Sequence, residues 1–325
     1  MDGRGTLQLM LTVLFATHNG ARTLRSVLAT YSQLMHPNGG WKLVVVDNAS
    51  TDNSRQILDS FRDQLPIEYV YERTPGKNAA LNTGLEFVEG DLVVLTDDDV
   101  FPRQDWLIAL REAADNYPEY AVFGGRVLPR WETAPPEWVT AWVPRGPVYT
   151  ISSDKLFDGP ASPENIYGPN MAVRADVFAA GVRFDPSVGP NGSNYAMGSE
   201  TELVIRLARL GYRIRCVPDA EVEHFIRNYQ LQREWILRRA TRFGRGQFRL
   251  GASQQARDVA TWVGVPRHLF REFFREFGVA LKAALTFDEE TAFRARWTLN
   301  FLWGQIIEAR NIRVHSRELR LHTVP

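Results

Sequence analysis

Three consecutive carboxylates, Asp97, Asp98 and Asp99, follow the apolar run Leu92-Val93-Val94-Leu95 with only Thr96 between. Adjacent aspartates repel one another, and strand packing calls for none of them. A divalent cation relieves that repulsion, and oxygen ligands supplied by one or two side chains suit Mg2+ or Mn2+ shared with substrate phosphates. A solvated turn leading into the next helix, with Pro102 near its start, explains the same triplet without a ligand. Other groups invite the same question. Asp47 closes the β-branched run Lys42-Leu43-Val44-Val45-Val46, and Lys77 ends the break Thr74-Pro75-Gly76-Lys77. Around Glu200, helical spacing puts Leu203, Leu207 and Leu210 on one stripe and Glu202, Arg206 and Arg209 on the opposite one. Glu202 therefore pairs outward with Arg206, whereas Glu200 emerges from the first turn of the buried face as a capping group or a site residue. His224, after the alternating Ala220-Glu221-Val222-Glu223, reads as a structural histidine or a ligand.

Strands and helices alternate at short spacing around these groups, the pattern of βαβ units and a parallel sheet. Strand one, from Leu7 to Ala16, ends at Thr17-His18-Asn19-Gly20, and a helix follows from about Arg22 to Met35. After the second strand, Ser50 or Thr51 can cap a helix carrying Ile57, Leu58 and Phe61. Ile67 to Tyr71 form a third strand, a small-residue helix runs through Ala79 to Phe87, and the run before Asp97 is the fourth strand. Right-handed crossovers would gather Thr17, Asp47 and Asp97 to Asp99 at the carboxyl edge of one sheet. Trp106, Leu107 and Leu110 mark another helix, and Ala121 to Val127 another strand. From Pro129 to Pro169 a Trp- and Pro-rich stretch reads as a long functional loop, its rings stacking on a sugar or plugging the side of the sheet. Regularity returns at Asn170 to Arg174, and beyond Phe225 the pattern is helical over about 230–243, 266–285 and 289–310.

At 325 residues and 44% hydrophobic content, the chain can bury a substantial core. Its single cysteine, Cys216, excludes an internal disulfide and points to a cytoplasmic setting. No run approaches the roughly 18 apolar residues of a membrane span. The net charge of zero hides an asymmetry: residues 225–325 carry 18 Lys plus Arg against 9 Asp plus Glu, leaving 20 against 29 for residues 1–224. An acidic first part is consistent with metal binding, and a basic helical end with an anionic membrane face rather than nucleic acid. His18-Asn19-Gly20-Ala21 is not a Gly-rich phosphate loop, which argues against a nucleotidyltransferase and a dinucleotide-binding dehydrogenase.

Taken in order, several motifs resemble the family 2 inverting glycosyltransferases, over roughly Leu9 to Leu250. They are Ala16-Thr17-His18-Asn19, Val46-Asp47-Asn48-Ala49-Ser50-Thr51-Asp52, Pro75 to Gly84, Thr96-Asp97-Asp98-Asp99, Gly168-Pro169-Asn170-Met171-Ala172, Gly198-Ser199-Glu200-Thr201-Glu202-Leu203, and His224 ahead of a basic helix. The resemblance implies an α/β, GT-A type nucleotide-diphosphate-binding sandwich with a mostly parallel sheet, plus a C-terminal helical region. It divides the chain into a glycosyltransferase domain, residues 1–225, and a basic amphipathic region, 226–325, the donor-binding half ending near 128 and the acceptor-binding half covering 129–225.

By the same resemblance, Thr17, Asn19, Asp47, Lys77, Asp97, Asp98 and Asn170 bind a nucleotide-diphosphate sugar, with UDP the expected nucleotide. Asp99, with Asp97 and His224, would hold Mn2+ or Mg2+. Glu200 would be the general base for transfer to a hydroxyl of a saccharide or lipid-linked acceptor. Where the family usually has an acidic pair this chain has Ser199-Glu200, which keeps Glu202 as the alternative base. It also keeps open a catalytically silent nucleotide-sugar-binding partner at a membrane surface.

Overall fold

The computed structural model describes residues 9–190, 192, 195–252 and 260–321. In chain order its elements are β1 (Leu11–Thr17), α1 (Ala21–Tyr31), β2 (Trp41–Asp47), α2 (Ser54–Asp59), β3 (Ile67–Tyr71), α3 (Lys77–Gly84), β4 (Leu92–Leu95), β5 (Val100–Pro102), α4 (Trp106–Asn116) and β6 (Tyr120–Trp131). They continue with α5 (Glu137–Trp142), α6 (Arg145–Tyr149), β7 (Gly159–Pro160), β8 (Met171–Arg174), α7 (Ala175–Ala179), α8 (Ser199–Arg209) and β9 (Arg213–Ile226). Last come α9 (Arg233–Ala252), the short strands β10 (Thr261–Trp262) and β11 (Val265–Pro266), α10 (Arg267–Leu285) and α11 (Glu289–Leu321). The chain forms two compact units, the first drawn from Met1–Arg130, Tyr149–Gly192 and Ser199–Ile226, the second from Trp131–Val148, Ser193–Gly198 and Arg227–Pro325.

The first unit is built on a sheet in the order β3-β2-β1-β4-β8-β6-β9-β5, with β7 beside β9. β3, β2, β1 and β4 run parallel; β1, β2 and β4 are apolar and almost wholly buried, as interior parallel strands are, while β3 at the sheet's edge is only partly buried. β8 then joins β4 antiparallel, and β6 joins β8 antiparallel. Two apolar layers flank the sheet. One contains Phe15, Leu28, Tyr31 and Trp106; the other contains Leu14, Leu81, Met171, Phe184, Leu203 and Leu207. This is the α/β, GT-A type sheet expected from the motifs, with helices on both faces. Burial within it pushes the Cys216 thiol up to about 11, so the lone cysteine is a core residue rather than a reactive one.

Two local expectations are corrected. The second helix starts at Ser54 with Asn53 at its cap position, so neither Ser50 nor Thr51 caps it; their amides instead hold the preceding turn, Ser50 N–H to Asp47 Oδ1 at 2.9 Å and Thr51 N–H to Asn19 Oδ1 at 2.8 Å. Just ahead of the helix, Asp52 accepts from the Ser54 amide at 3.0 Å and closes a local turn. The Trp- and Pro-rich stretch is not one long loop. It contains α5 and α6, and within the second unit Trp138 and Trp142 pack against Phe293 with ring centroids 5.4 and 6.2 Å away. The Arg233 guanidinium lies over the Trp138 ring at 5.1 Å. Trp138 and Trp142 therefore pack on α11 within the second unit rather than plugging the side of the sheet as expected.

The second unit is helical. α9 and α11 approach so closely that a side-chain carbon at Gly244 would fall 1.9 Å from the Phe301 carbonyl oxygen. Leu269, Leu302, Ile306 and Ala309 form its apolar centre, with Phe248 and Phe273 packed on it. Glu308, 0% exposed, is held by Arg245 at 2.8 Å and by Arg249.

Candidate functional site

The carboxyl edge of the parallel strands is where the sequence motifs meet. Thr17 and Asp47 are register partners at the ends of β1 and β2. Asp47 is nearly fully buried and accepts hydrogen bonds from the Ser50 amide, at 2.9 Å, and the Tyr69 hydroxyl, at 3.1 Å. Burial first, and then the Asp47 charge, push the Tyr69 phenol above its ordinary pKa, which keeps it a donor. Asn19 sits at φ +55, a left-handed geometry that asparagine tolerates, and its side chain accepts from the Thr51 amide and hydroxyl. Asn48 ties this edge to the next loop, donating to the Glu72 and Thr74 carbonyls and accepting from the Gly76 amide at 2.8 Å. The loop so braced leads directly into Lys77.

The three aspartates occupy the turn between β4 and β5 and face different partners. Thr17 donates to Asp98 Oδ2 at 2.5 Å, directly over Gly20, where an added side-chain carbon would lie 2.3 Å from Thr17 Oγ1 and 2.5 Å from Asp98 Oδ2. Asp97 Oδ1 lies 2.5 Å from the Lys77 ammonium, and Glu200 Oε1 lies 2.6 Å from the same nitrogen. Burial alone would lower the Lys77 pKa, but the two carboxylates outweigh it and hold the ammonium well above the ordinary lysine range.

Two supports place that trio. Asn78, next to Lys77, donates to the carbonyls of Asp185 and Val188 and accepts from the Ser199 hydroxyl at 2.7 Å, linking the start of α3 to the start of α8. Glu200 lies against Gly168, where a side-chain carbon would fall 2.4 Å from its carboxyl carbon. The α8 N-terminus, with Leu203, Val204 and Leu207 buried beneath, fixes where Glu200 leaves the helix.

Asp99 faces His224, with Oδ1 3.6 Å from Nε2. Strand pairing explains the meeting: Val100, the next residue, is the register partner of His224, and the Phe225 amide donates to the Asp99 carbonyl at 2.9 Å. His224 Nδ1 lies 2.7 Å from the Tyr149 carbonyl oxygen. A carbonyl only accepts, so Nδ1 carries a proton, and Nε2 is the nitrogen turned toward the carboxylate. That arrangement, one ring nitrogen fixed by a carbonyl and the other beside an oxygen ligand, suits a divalent cation. Among the described residues no group of three or more His, Cys, Asp or Glu side chains could hold a metal by itself. Asp99 and His224 by themselves offer one carboxylate and one imidazole, so any ion there would need further ligands from outside the protein.

Of the residues picked from the sequence, Thr17, Asn19, Asp47, Lys77, Asp97, Asp98 and Asp99 belong to this edge and the segments that leave it, while Glu200 is brought to it by α8 and His224 by β9. Asn170 does not contribute a free side chain. It is fully buried, accepts from Trp106 Nε1 at 2.8 Å and donates to the Arg126 and Ala220 carbonyls at 2.8 and 2.7 Å, so its amide is spent bracing the sheet. Glu202 turns away as its spacing predicts, paired with Arg206 at 2.9 Å, and Arg206 also donates to the Arg183 carbonyl. Asp97 sits on Lys77 rather than with Asp99 and His224, which places it with the charge trio. Asn48, Tyr69, Asn78, Gly168 and Ser199 escaped the sequence reading. Asn48, Asn78, Gly168 and Ser199 lay inside quoted motifs, whereas Tyr69 carried no signal of its own.

A family model described as Glycosyl transferase family 2 matches residues 12–180, more than half of the chain. The chain belongs to glycosyl transferase family 2. One family relative, the glucosyl-dolichyl phosphate glucuronosyltransferase of Haloferax volcanii, is 27% identical over 225 residues, 68% of this chain and 68% of its own. The fold is similar to that of the mannosyltransferase PcManGT from Pyrobaculum calidifontis, solved with GDP-Man and Mn2+, at a TM-score of 0.61 and 20% identity over 92% of this chain and 86% of that one. It is also similar to TarS of Staphylococcus aureus, solved with UDP-GlcNAc, at a TM-score of 0.52 and 15% identity over 95% and 92%. This member of the family is a glycosyltransferase that draws on a nucleotide-sugar donor.

Proposed function

We propose that this enzyme is a metal-dependent, inverting hexosyltransferase that moves a sugar from a UDP-sugar to a hydroxyl of a saccharide or lipid-linked acceptor. The observation that carries the reading is the Lys77 ammonium, which lies within 2.6 Å of both Asp97 and Glu200 and so joins the base candidate to the donor-side aspartates. Glu200 takes the proton from the acceptor hydroxyl as that oxygen attacks the anomeric carbon. Opposite-face attack in one displacement inverts the centre. Asp47 accepts from the nucleotide base, the Thr17–Asp98 pair lines the ribose and phosphates, and Asp99 with His224 holds the cation. The cation's chemical contribution is to neutralise charge on the departing nucleoside diphosphate. A lipid-linked acceptor would place the enzyme at the inner face of a cell membrane, in peripheral contact through the basic helical unit. The dolichyl phosphate in the name of the Haloferax relative is compatible with such an acceptor.

Thermal unfolding with a panel of sugar nucleotides, with and without Mn2+, tests the donor. A UDP-sugar should stabilise the protein more than GDP-sugars, and only with metal; equal stabilisation without metal would remove the cation from the site. Magnetic resonance of the product tests the stereochemistry, because retention of the donor's anomeric configuration would rule out a single displacement. A silent nucleotide-sugar binder would show the stabilisation and no product.

A further inference from the structure

In the second unit, α10 turns two unlike stripes outward. Leu269 and Ala283 are buried, and Phe273 packs on the unit's apolar centre. Phe274, Phe277, Leu281 and Leu285, spaced by three or four residues, form a row in which every side chain is more than half exposed. Helical spacing puts Arg267, Arg271, Arg275 and Lys282 along one side of that row, and all four are exposed. The helix's acids, Glu272 and Glu276, are half-buried on its inward side, where Glu276 pairs with Arg275 at 3.1 Å. Charge is therefore sorted across the helix, positive outward beside exposed phenylalanines.

The hairpin before α10 extends the surface. Trp262 is 60% exposed and stands edge-on to Phe270 of α10 at 5.2 Å between ring centroids. Val263, at the tip of the two-residue turn, is 67% exposed and held at φ +51. A β-branched residue is disfavoured there, and asparagine or glycine would serve the turn better. An apolar side chain kept at a strained, protruding tip is better explained by what it enters than by folding.

We propose that the Trp262–Val263 tip and the Phe274–Leu285 row dock into the interface of an anionic lipid bilayer, with the flanking Arg and Lys side chains on the headgroups. This rests on the membrane-proximal acceptor reading above and names the surface that performs it. The chemistry is that of a helix lying in the plane of the interface: apolar side chains reach the acyl boundary while guanidinium and ammonium groups meet phosphate. No helix among the described residues is long and apolar enough to cross a membrane, so contact by this face would be peripheral. A second copy is a poorer occupant, because a two-fold contact of this face would bring the basic strips against each other.

Co-sedimentation with phosphatidylcholine vesicles containing phosphatidylglycerol, compared with phosphatidylcholine alone, tests the proposal at low and high salt. The whole chain should bind the anionic vesicles about tenfold better, and salt should weaken that binding. The triple variant F274S/F277S/L281S should lose about tenfold in partitioning, with an unchanged melting temperature and unchanged UDP-sugar hydrolysis. Bromination of the lipid chains should quench Trp262 in the wild type, read as the difference from Trp262→Phe. Absence of vesicle binding at low salt would overturn the proposal, as would a triple variant that binds as the wild type does. Concentration-dependent dimerisation abolished by the triple variant, without vesicle binding, would assign the face to a second copy. Vesicle binding by a chain that transfers no sugar would instead strike at the catalytic reading alone.

Discussion

Each unit contains a trio of charged side chains, and the two are opposite in sign. In the first, one ammonium, Lys77, serves two carboxylates, Asp97 and Glu200. In the second, one carboxylate, Glu308, serves two guanidiniums, Arg245 and Arg249. Their surroundings differ more than their charges. Glu308 is sealed at 0% exposure, where α9 and α11 cross at glycines. The side chains of Lys77, Asp97 and Glu200 each keep 17 to 21% exposure, at the edge of the sheet. A carboxylate sealed between two guanidiniums holds helices in register, even though the Arg249 side chain itself keeps 30% exposure. A trio that keeps contact with solvent can be rearranged by a ligand, and a diphosphate competing for the Lys77 ammonium would free Glu200 to accept a proton.

Substitutions should therefore separate the two. Glu308→Ala leaves two guanidiniums facing a cavity and should lower stability by about 4 kcal/mol, measured by urea unfolding, while turnover per folded molecule is unchanged. Lost activity with intact stability would reverse the assignment. Asp99→Ala should weaken Mn2+-dependent UDP binding by about a hundredfold in calorimetric titration, since the cation's share is removed. Unchanged affinity would refute its role as a ligand.

Lys77→Met should slow transfer by about thirtyfold yet cost only about 1 kcal/mol of stability, because the unpaired carboxylates still reach water. Sign matters here. The folded Lys77 pKa lies above the ordinary lysine value, so its contribution is whole below about pH 10 and fades only as pH climbs further. The stability difference between wild type and Lys77→Met should then stay flat between about pH 7 and pH 9. A slope in that window would place the Lys77 proton elsewhere. Glu202→Gln, paired outward with Arg206, should cost less than about 1 kcal/mol and leave transfer alone.

The parallel half of the fold was legible because buried strands and helical connectors repeat locally, and the motifs fell where β1, β2 and β4 end. The antiparallel half was not. β8 enters beside β4 only through pairing between residues about eighty positions apart, and no periodicity announces such a partner. A still larger separation, 124 positions between Val100 and His224, hid how His224 reaches Asp99, which depends on β9 pairing with β5. Asn170 was misread for the converse reason: a polar residue inside a motif looks available, and only packing reveals that Trp106, Arg126 and Ala220 have already claimed its amide. Lys77 could equally have been a solvated loop lysine until Asn78 and Gly168 fixed what stands on either side of it.

Steady-state transfer by Glu200→Gln, measured beside UDP affinity in Mn2+, reaches the central claim most directly. The substitution keeps the side chain's size and removes only its capacity to take a proton, so transfer should fall by about a thousandfold while UDP affinity changes little. Transfer at the wild-type rate would contradict the account, because the proton would then leave the acceptor by another route.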